Sequence, residues 1–335
     1  MDDGKQGVTR KQFLLGAAAA AATPVAARAS GMAPLRLADG IGSPSRFILL
    51  GTAGGPNIRR DRSQPANLLV VDGTPYLFDI GYGCLHQLVA AGFEPRDIGG
   101  VFITHLHTDH SIDLASVINF CWSGARTADL PIIGPYGTER LTALGQAYAQ
   151  EAVRVFTEQF PGHAPITFSR PRDITAPGLV YADTRIKVYA AENSHFEDFA
   201  HGRDRSYSYR IECPDCVICL TGDTGAGAGA ALAELARGAD MLVSEIIDAK
   251  AATAMAMRVN HVPASAEPIF AEHMEREHMP PESLGKIATQ AGVKLVVLTH
   301  IVPGEDNETD MSRYTAGVRR FFNGPVIAGR DMLEL

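Results

Sequence analysis

Thr104-His105-Leu106-His107-Thr108-Asp109-His110 follows directly on the apolar run Val101-Phe102-Ile103, and its reading decides the fold. Three imidazoles and one carboxylate fall within the six residues 105–110. A buried strand that ends in a tight loop can aim all four at one point. Alternation points His105 and His107 the same way, while Asp109 and His110 curl round to a second position. Imidazole and carboxylate are ligands that Zn²⁺, Fe and Mn accept, and no thiolate closes the shell as in a structural site. As a plain surface loop the same residues would repel and desolvate one another. The stretch reads as a metal site.

This motif resembles the His-x-His-x-Asp-His signature of the metallo-β-lactamase superfamily, and the resemblance runs on in order over residues 46–335. Phe47-Ile48-Leu49-Leu50-Gly51-Thr52-Ala53-Gly54-Gly55-Pro56 is similar to the opening strand and glycine turn of that fold. Tyr76-Leu77-Phe78-Asp79-Ile80-Gly81, Thr221-Gly222-Asp223-Thr224 and Val296-Val297-Leu298-Thr299-His300 resemble its later site-bearing segments. Leu130–Pro135, Tyr207–Arg210 and Glu277-His278-Met279-Pro280-Pro281 are closest to the ribonuclease Z and arylsulfatase-like branch. The resemblance implies an α/β fold, a four-layer αββα sandwich in a single domain.

It also implies a site. His105, His107 and His195 would hold one ion, Asp109, His110 and His300 the other, with Asp223 bridging. Two Zn²⁺ ions are expected, Mn²⁺ or Fe being alternatives. His163 and His201 compete for the third-histidine place, but only His195 directly follows a strand-like run, 186–191. Asp79 is expected to orient a ligand imidazole, since such rings usually donate their other N–H to a carboxylate or carbonyl. Two cations roughly 3.5–4 Å apart lower the pKa of a shared water toward about 7 and so supply hydroxide at neutral pH. Asp109 can orient that nucleophile or take its proton, and His278 is the candidate proton donor to the leaving group. Asn193, Phe196, Tyr207, Tyr209 and Trp122 are candidate pocket residues. Flavin-linked diiron relatives carry glutamate where His107 stands and append a flavin domain, so hydrolysis is expected rather than redox chemistry.

The first residues read differently from the rest. Lys5, Arg10 and Lys11 precede Phe13-Leu14-Leu15, an alanine-rich stretch and Ala27-Arg28-Ala29. That is a charged n-region, an h-region and a cleavage-like site. Thr9-Arg10-Lys11-Gln12-Phe13-Leu14 resembles a twin-arginine export signal with lysine in the second arginine's place. Residues 1–29 are therefore expected to be an export signal, placing the enzyme in the periplasm or outside the cell, or in the cytoplasm if the leader does not function. An alanine-rich tail is the alternative. No run of eighteen strongly apolar residues predicts a membrane span.

Charge separates the substrate classes. The chain carries −8 overall; Lys5, Arg10, Lys11 and Arg28 against Asp2 and Asp3 give the leader +2, which leaves −10 on the remainder. An acidic protein gains little counterion-release affinity for a polyanion. The region between His110 and His195 also lacks a basic insert suited to gripping RNA. A small anionic ester is thus the expected partner, with no nucleic acid; a homodimer is compatible with all of this. The leading expectation is an exported, zinc-dependent, arylsulfatase-like hydrolase of a small sulfate or phosphate ester. A lactone or β-lactam hydrolase and a ribonuclease Z-type phosphodiesterase are the alternatives. A non-catalytic scaffold would have lost ligands, and all seven are present.

Cys213-Pro214-Asp215-Cys216 lacks the second pair of a zinc ribbon. It reads as a hairpin turn between Ile211 and Ile218, its cysteines either bridged or a pair of thiols. Strands are predicted at 46–50, 67–71, 76–80, 100–104, 131–133, 186–190, 207–212, 216–221, 241–244, 295–299 and 325–328. Helices are predicted at 84–92, 111–120, 137–158, 228–237, 264–277, 281–291 and 311–322. The proline-rich residues 161–178 read as a loop or lid over the site.

Overall fold

In β1 (Arg46–Gly51) the side chains alternate between two cores. Phe47 and Leu49 join one apolar cluster, Ile48 and Leu50 another. Successive strand residues point to opposite faces, so a strand buried on both sides must have something packed on each. This pattern repeats through the chain and sets the layers. The structure, a computed structural model, describes residues 45–159, 165–196, 203–259 and 263–335. The leader 1–29, His163 and His201 lie outside the described residues.

Two seven-stranded sheets face each other. The first contains β1, β2 (Ala66–Val71), β3 (Thr74–Ile80), β4 (Gly100–Phe102), β5 (Leu130–Gly134), β6 (Ser169–Asp173) and β14 (Leu333–Glu334), in the order β14-β1-β2-β3-β4-β5-β6. The second contains β7 (Gly178–Ala182), β8 (Lys187–Glu192), β9 (Tyr207–Glu212), β10 (Val217–Leu220), β11 (Met241–Ile247), β12 (Leu295–Val302) and β13 (Val326–Ala328), in the order β13-β12-β11-β10-β9-β8-β7. Each sheet is antiparallel on one side, β1-β2-β3 or β7-β8-β9-β10, and parallel on the other. Phe47, Leu69, Phe78 and Phe102 of the first sheet meet Val188, Tyr209, Ile211 and Val297 of the second.

Helices cover the outer faces. Leu114, Val117 and Ile118 of α3 (Leu114–Ser123) and Ala149 and Val153 of α4 (Thr138–Gln159) pack on the first sheet, as do residues of α1 (Cys84–Ala90). Leu232 of α5 (Gly229–Leu235), Leu284 and Ile287 of α8 (Pro281–Ala291) and Val318 of α9 (Ser312–Arg319) pack on the second. The result is the αββα sandwich expected from the sequence. Among the described residues no helix is long and apolar enough to cross a membrane.

Two features differ from the sequence reading. The loop or lid expected at 161–178 is, over its described residues 165–178, not free: β6 forms within them and pairs with β5 at the sheet edge. Its sequence Ser-Arg-Pro-Arg-Asp hides the strand, because proline and charge are tolerated only on an edge. The alanine- and methionine-rich α6 (Ala249–Val259) was not foreseen; it lies beside α7 (Glu267–Glu277). Cys213 and Cys216 stand at the β9–β10 turn, as expected, and as two thiols, one of the two states foreseen.

Candidate metal centre

The putting together of the site starts at the strand ends. β4 stops at Phe102, and the chain passes through Thr104, His105 and Leu106 into a single helical turn, α2 (Thr108–Ser111), whose N-cap is His107. That turn carries Asp109 and His110 to a second position, separate from His105 and His107. His195 follows β8, Asp223 follows β10, and His300 lies within β12. Ligand groups gather outside strand ends because the sheet fixes them there while the loops leave room.

Two sets of atoms converge. His107 Nδ1 lies 3.0 Å from His105 Nε2 and 3.2 Å from His195 Nε2. His300 Nε2 and His110 Nε2 lie 3.4 and 3.5 Å from Asp109 Oδ2. Asp223 sits between the sets: Oδ2 is 3.1 Å from His300 Nε2 and 3.9 Å from His105 Nε2, and Oδ1 is 3.3 Å from His110 Nε2. The structure therefore brings together all seven residues named from the sequence.

The other ring nitrogens fix which lone pairs face inward. His195 Nδ1 lies 2.9 Å from the Glu277 carbonyl, which only accepts, so this nitrogen carries the proton and Nε2 offers its lone pair. His110 Nδ1 likewise lies 2.9 Å from Asp79 Oδ2. Asp79 also accepts from Thr104 N–H at 2.8 Å and from the Thr104 hydroxyl. Buried His110 Nε2 and Asp223 Oδ1 then face each other with no hydrogen bond of normal geometry. Lone pair opposed to lone pair in a buried site is costly, and a positive charge between them, a proton or a shared metal ion, removes the cost. The donor set fits divalent metal ions.

Electrostatics agree. Burial lowers the proton affinity of His105 and His107 and brings His195 to about 3, leaving neutral imidazoles suited to ligation. Burial also opposes charge on His110, but Asp223, Asp79 and Asp109 together raise its proton affinity well above the usual imidazole range. A field that draws a proton to that point also draws a cation. Burial would raise Asp109, yet His110 and His300 hold it at about 2.

Backbone strain marks the same place. Asp79 and His300 both have left-handed backbones, at φ 60° and 39°. Such non-glycine conformations cost of order 1–3 kcal/mol and persist where the surroundings over-determine them. Gly55 is required for a different reason: a Cβ there would stand 1.9 Å from Asp109 Oδ2.

His278 faces the same cleft and has a partner that the sequence did not reveal. Its Nδ1 lies 2.7 Å from Oε2 of Glu245, a fully buried carboxylate on β11. Burial pushes His278 down, but Glu245 overrides it and raises the imidazole to about 9. Burial in turn raises the Glu245 carboxyl. His273, also unforeseen, lines the cleft with Nδ1 3.0 Å from Glu277 Oε2. Glu245 and Glu277 read from sequence as ordinary strand and helix acids; only the packing of β11 and α7 against the site exposes their roles.

The candidate pocket residues divide. Phe196 stacks its edge on the cluster, its ring centroid 5.0 Å from His107 and 4.8 Å from His195, and lines an opening of about 280 Å³. Asn193 instead pins the turn: its amide donates to the Thr221 carbonyl, and its Oδ1 accepts from His195 N–H. Tyr209 is buried between the sheets, its hydroxyl donating to the Ile103 carbonyl at 2.7 Å, and Tyr207 joins the same core. Trp122 packs beneath α4 against Phe156. Asn193, Tyr207, Tyr209 and Trp122 are thus structural; large aromatic rings near a site in sequence were claimed by the core because it offers them more burial.

Residues 74–301 match the family model described as the beta-lactamase superfamily domain. The chain belongs to that superfamily. It is 28% identical over 295 residues to a protein named ribonuclease Z from Mycolicibacterium gilvum (strain PYR-GCK), covering 85% of this chain and 93% of the relative. A ribonuclease Z of Mycolicibacterium paratuberculosis (strain ATCC BAA-968 / K-10) is 29% identical over 293 residues, covering 85% and 95%. Among solved structures, the metallo-beta-lactamase fold protein YhfI from Bacillus subtilis superposes with a TM-score of 0.60 at 16% identity, covering 88% of this chain and all of that one. The short form of human tRNase Z gives 0.57 at 18%, covering 87% and 98%. At these identities the structural likeness is one of fold.

Proposed function

We propose that this chain is a metal-dependent phosphodiester hydrolase with a binuclear centre. The carrying observation is the pair of donor sets joined through Asp223, with the inward lone pairs of His195 and His110 fixed by Glu277 and Asp79. His105, His107 and His195 would hold one divalent ion, Asp109, His110 and His300 the other, zinc being the expected metal. When bound, such ions activate water as a nucleophile and polarise the ester oxygen. The chain's own residues do the rest. Asp109 orients the attacking group, and His278, held by Glu245, supplies the leaving group's proton. Relatives named ribonuclease Z favour the phosphodiesterase alternative over the arylsulfatase-like hydrolysis of a small sulfate or phosphate ester first expected, so the reading moves to that bond.

The test is turnover by purified, metal-loaded protein on bis(p-nitrophenyl) phosphate, p-nitrophenyl phosphate, p-nitrophenyl sulfate, an aryl lactone and a cephalosporin, each with Asp223→Ala. Diester hydrolysis that disappears in the variant is expected. Activity confined to the sulfate, lactone or cephalosporin refutes the reading. Export through residues 1–29 belongs to the same proposal: cell fractionation should find the protein outside the cytoplasm, and cytoplasmic retention of the full chain would end that part.

A further inference from the structure

The cleft into which His107, Asp109, Asp223, His278 and His300 point has a volume of about 290 Å³. Its two walls differ in kind. One is the donor cluster. The other is mainly apolar: Ala252, Met255 and Ala256 of α6, Phe270 and Met274 of α7 with His273 between them, and Val302 at the end of β12. Met255 and Val302 are only 7% and 4% exposed, so most of their surface is already committed to the wall. The Arg59 guanidinium packs against the Met255 sulfur and donates to the Pro303 carbonyl. Phe270 and Met274 stay half-buried, with apolar surface open to the cleft.

Lysine and arginine are missing where a polyanion would need them. Among the described residues lining this cleft there is no lysine or arginine. The adjoining opening at Leu106, His107 and Phe196 contains Arg205, but that guanidinium already meets Glu192 at 2.9 Å. A larger groove of about 850 Å³ continues past Leu106, Thr108 and Tyr136; it offers Arg140, and Arg203 over the Tyr136 ring, against Glu139, Asp173 and Asp204. Binding a nucleic-acid backbone draws its affinity from cations that displace counterions, and these surfaces supply almost none. A small volume, an apolar wall and a net acidic approach suit a different substrate.

We propose that the substrate is a small phosphodiester carrying one apolar alkyl or aryl group, seated on Met255, Phe270, Met274 and Val302, rather than a polynucleotide. This rests on the phosphodiester reading above and names its substrate class. The volume falls at the small end of ligand pockets, which run from roughly 300 to 1,000 Å³. Methionine suits such a wall because its unbranched thioether adapts to varied apolar shapes.

The test is a series of p-nitrophenyl diesters with methyl, ethyl, butyl and phenyl as the second substituent. All share one leaving group, so the chemistry is constant and only the seated group changes. kcat/KM should climb by up to about fourfold per added CH₂, the full-burial limit. Phe270→Ser and Met274→Ser should each flatten that climb. Calorimetry with dimethyl and dibutyl phosphate supplies a second readout: the dibutyl ester should bind more tightly, with the more negative heat-capacity change. A flat series with equal binding of the two dialkyl esters overturns the proposal. So does a precursor RNA or oligoribonucleotide cleaved with higher kcat/KM than the best small diester. Hydrolysis of lactones and no diester refutes the phosphodiester reading, while the dialkyl comparison still decides the wall by itself.

Discussion

Replacing Asp79 by asparagine tests how the site is held without altering a proposed ligand. Asparagine is nearly isosteric and tolerates a left-handed backbone as aspartate does, so the φ of 60° at this position should survive. The amide oxygen can keep the 2.8 Å bond from Thr104 N–H. Its NH₂ group must then face His110 Nδ1, where a carboxylate oxygen lay at 2.9 Å. Donor meets donor, and His110 relieves the clash by moving its proton to Nε2, the nitrogen aimed at Asp109 and Asp223. The lone pair needed for ligation is then lost from the cluster. Changes to groups that orient ligand imidazoles cost about 10–100-fold in metal affinity, or about 1.4–2.8 kcal/mol. The loss should fall on the Asp109–His110–His300 ion and spare the one held by His105, His107 and His195. Metal titration against a competing chelator reads both affinities, and melting of the metal-free proteins controls for a folding defect. Asp79→Asn protein that holds both ions as tightly as the wild type would refute this account of Asp79. Equal weakening of both ions in a normally stable protein would refute the two-set description.

Further outcomes follow from other contacts. His278→Ala should lower kcat about 10²–10⁴-fold on diesters with alkoxide leaving groups, yet far less on p-nitrophenyl esters, whose leaving group needs no proton; equal losses on both would remove His278 as the donor. Gly55→Ala, whose new Cβ would stand 1.9 Å from Asp109 Oδ2, should displace that carboxylate and leave less than the full metal content in a protein of normal circular dichroism. Full metal content would show that Asp109 can move without penalty. Tyr76→Phe removes a hydroxyl that donates to Asp183 at 2.5 Å, at a cost of about 1 kcal/mol, near the low end for a bond to a charged group because Asp183 faces solvent. Burial would raise the Asp183 carboxyl, but Tyr76, the N–H groups of Ile186 and Arg185, and Tyr181 hold it below its ordinary value. A depressed carboxyl stabilises the fold above its unfolded pKa of about 3.9 and loses that contribution as pH falls through the folded value. The wild-type advantage over Tyr76→Phe in denaturant melts should therefore be full at pH 7 and shrink below about pH 4; a difference independent of pH would contradict the coupling.

Sequence alone determined the local parts of this protein. The run Val101–Ile103 followed by His105, His107, Asp109 and His110 encodes a strand, a turn and two ligand directions within ten residues, because alternation and one helical turn are short-range geometry. Continuous apolar runs such as Leu295–Leu298 likewise marked strands, while the four layers were what the family resemblance implied. Edge strand β6 was illegible, because an edge position excuses the proline and charges that argue against a strand. The site's supporting groups were illegible for a related reason. Glu245 lies 33 residues from His278, and the Glu277 carbonyl lies 82 residues from His195. Nothing local distinguishes a carboxylate or carbonyl that will meet an imidazole from one that will face water. Trp122, Tyr207 and Tyr209 went to the core rather than the pocket on the same principle. Which side of a strand or helix faces the cleft depends on how the two sheets stack, and stacking is settled by the summed burial of residues far apart in the chain. Sequence thus determined which residues can hold a metal; tertiary packing decided which nitrogens point inward, which acids hold them, and which side chains line the cleft.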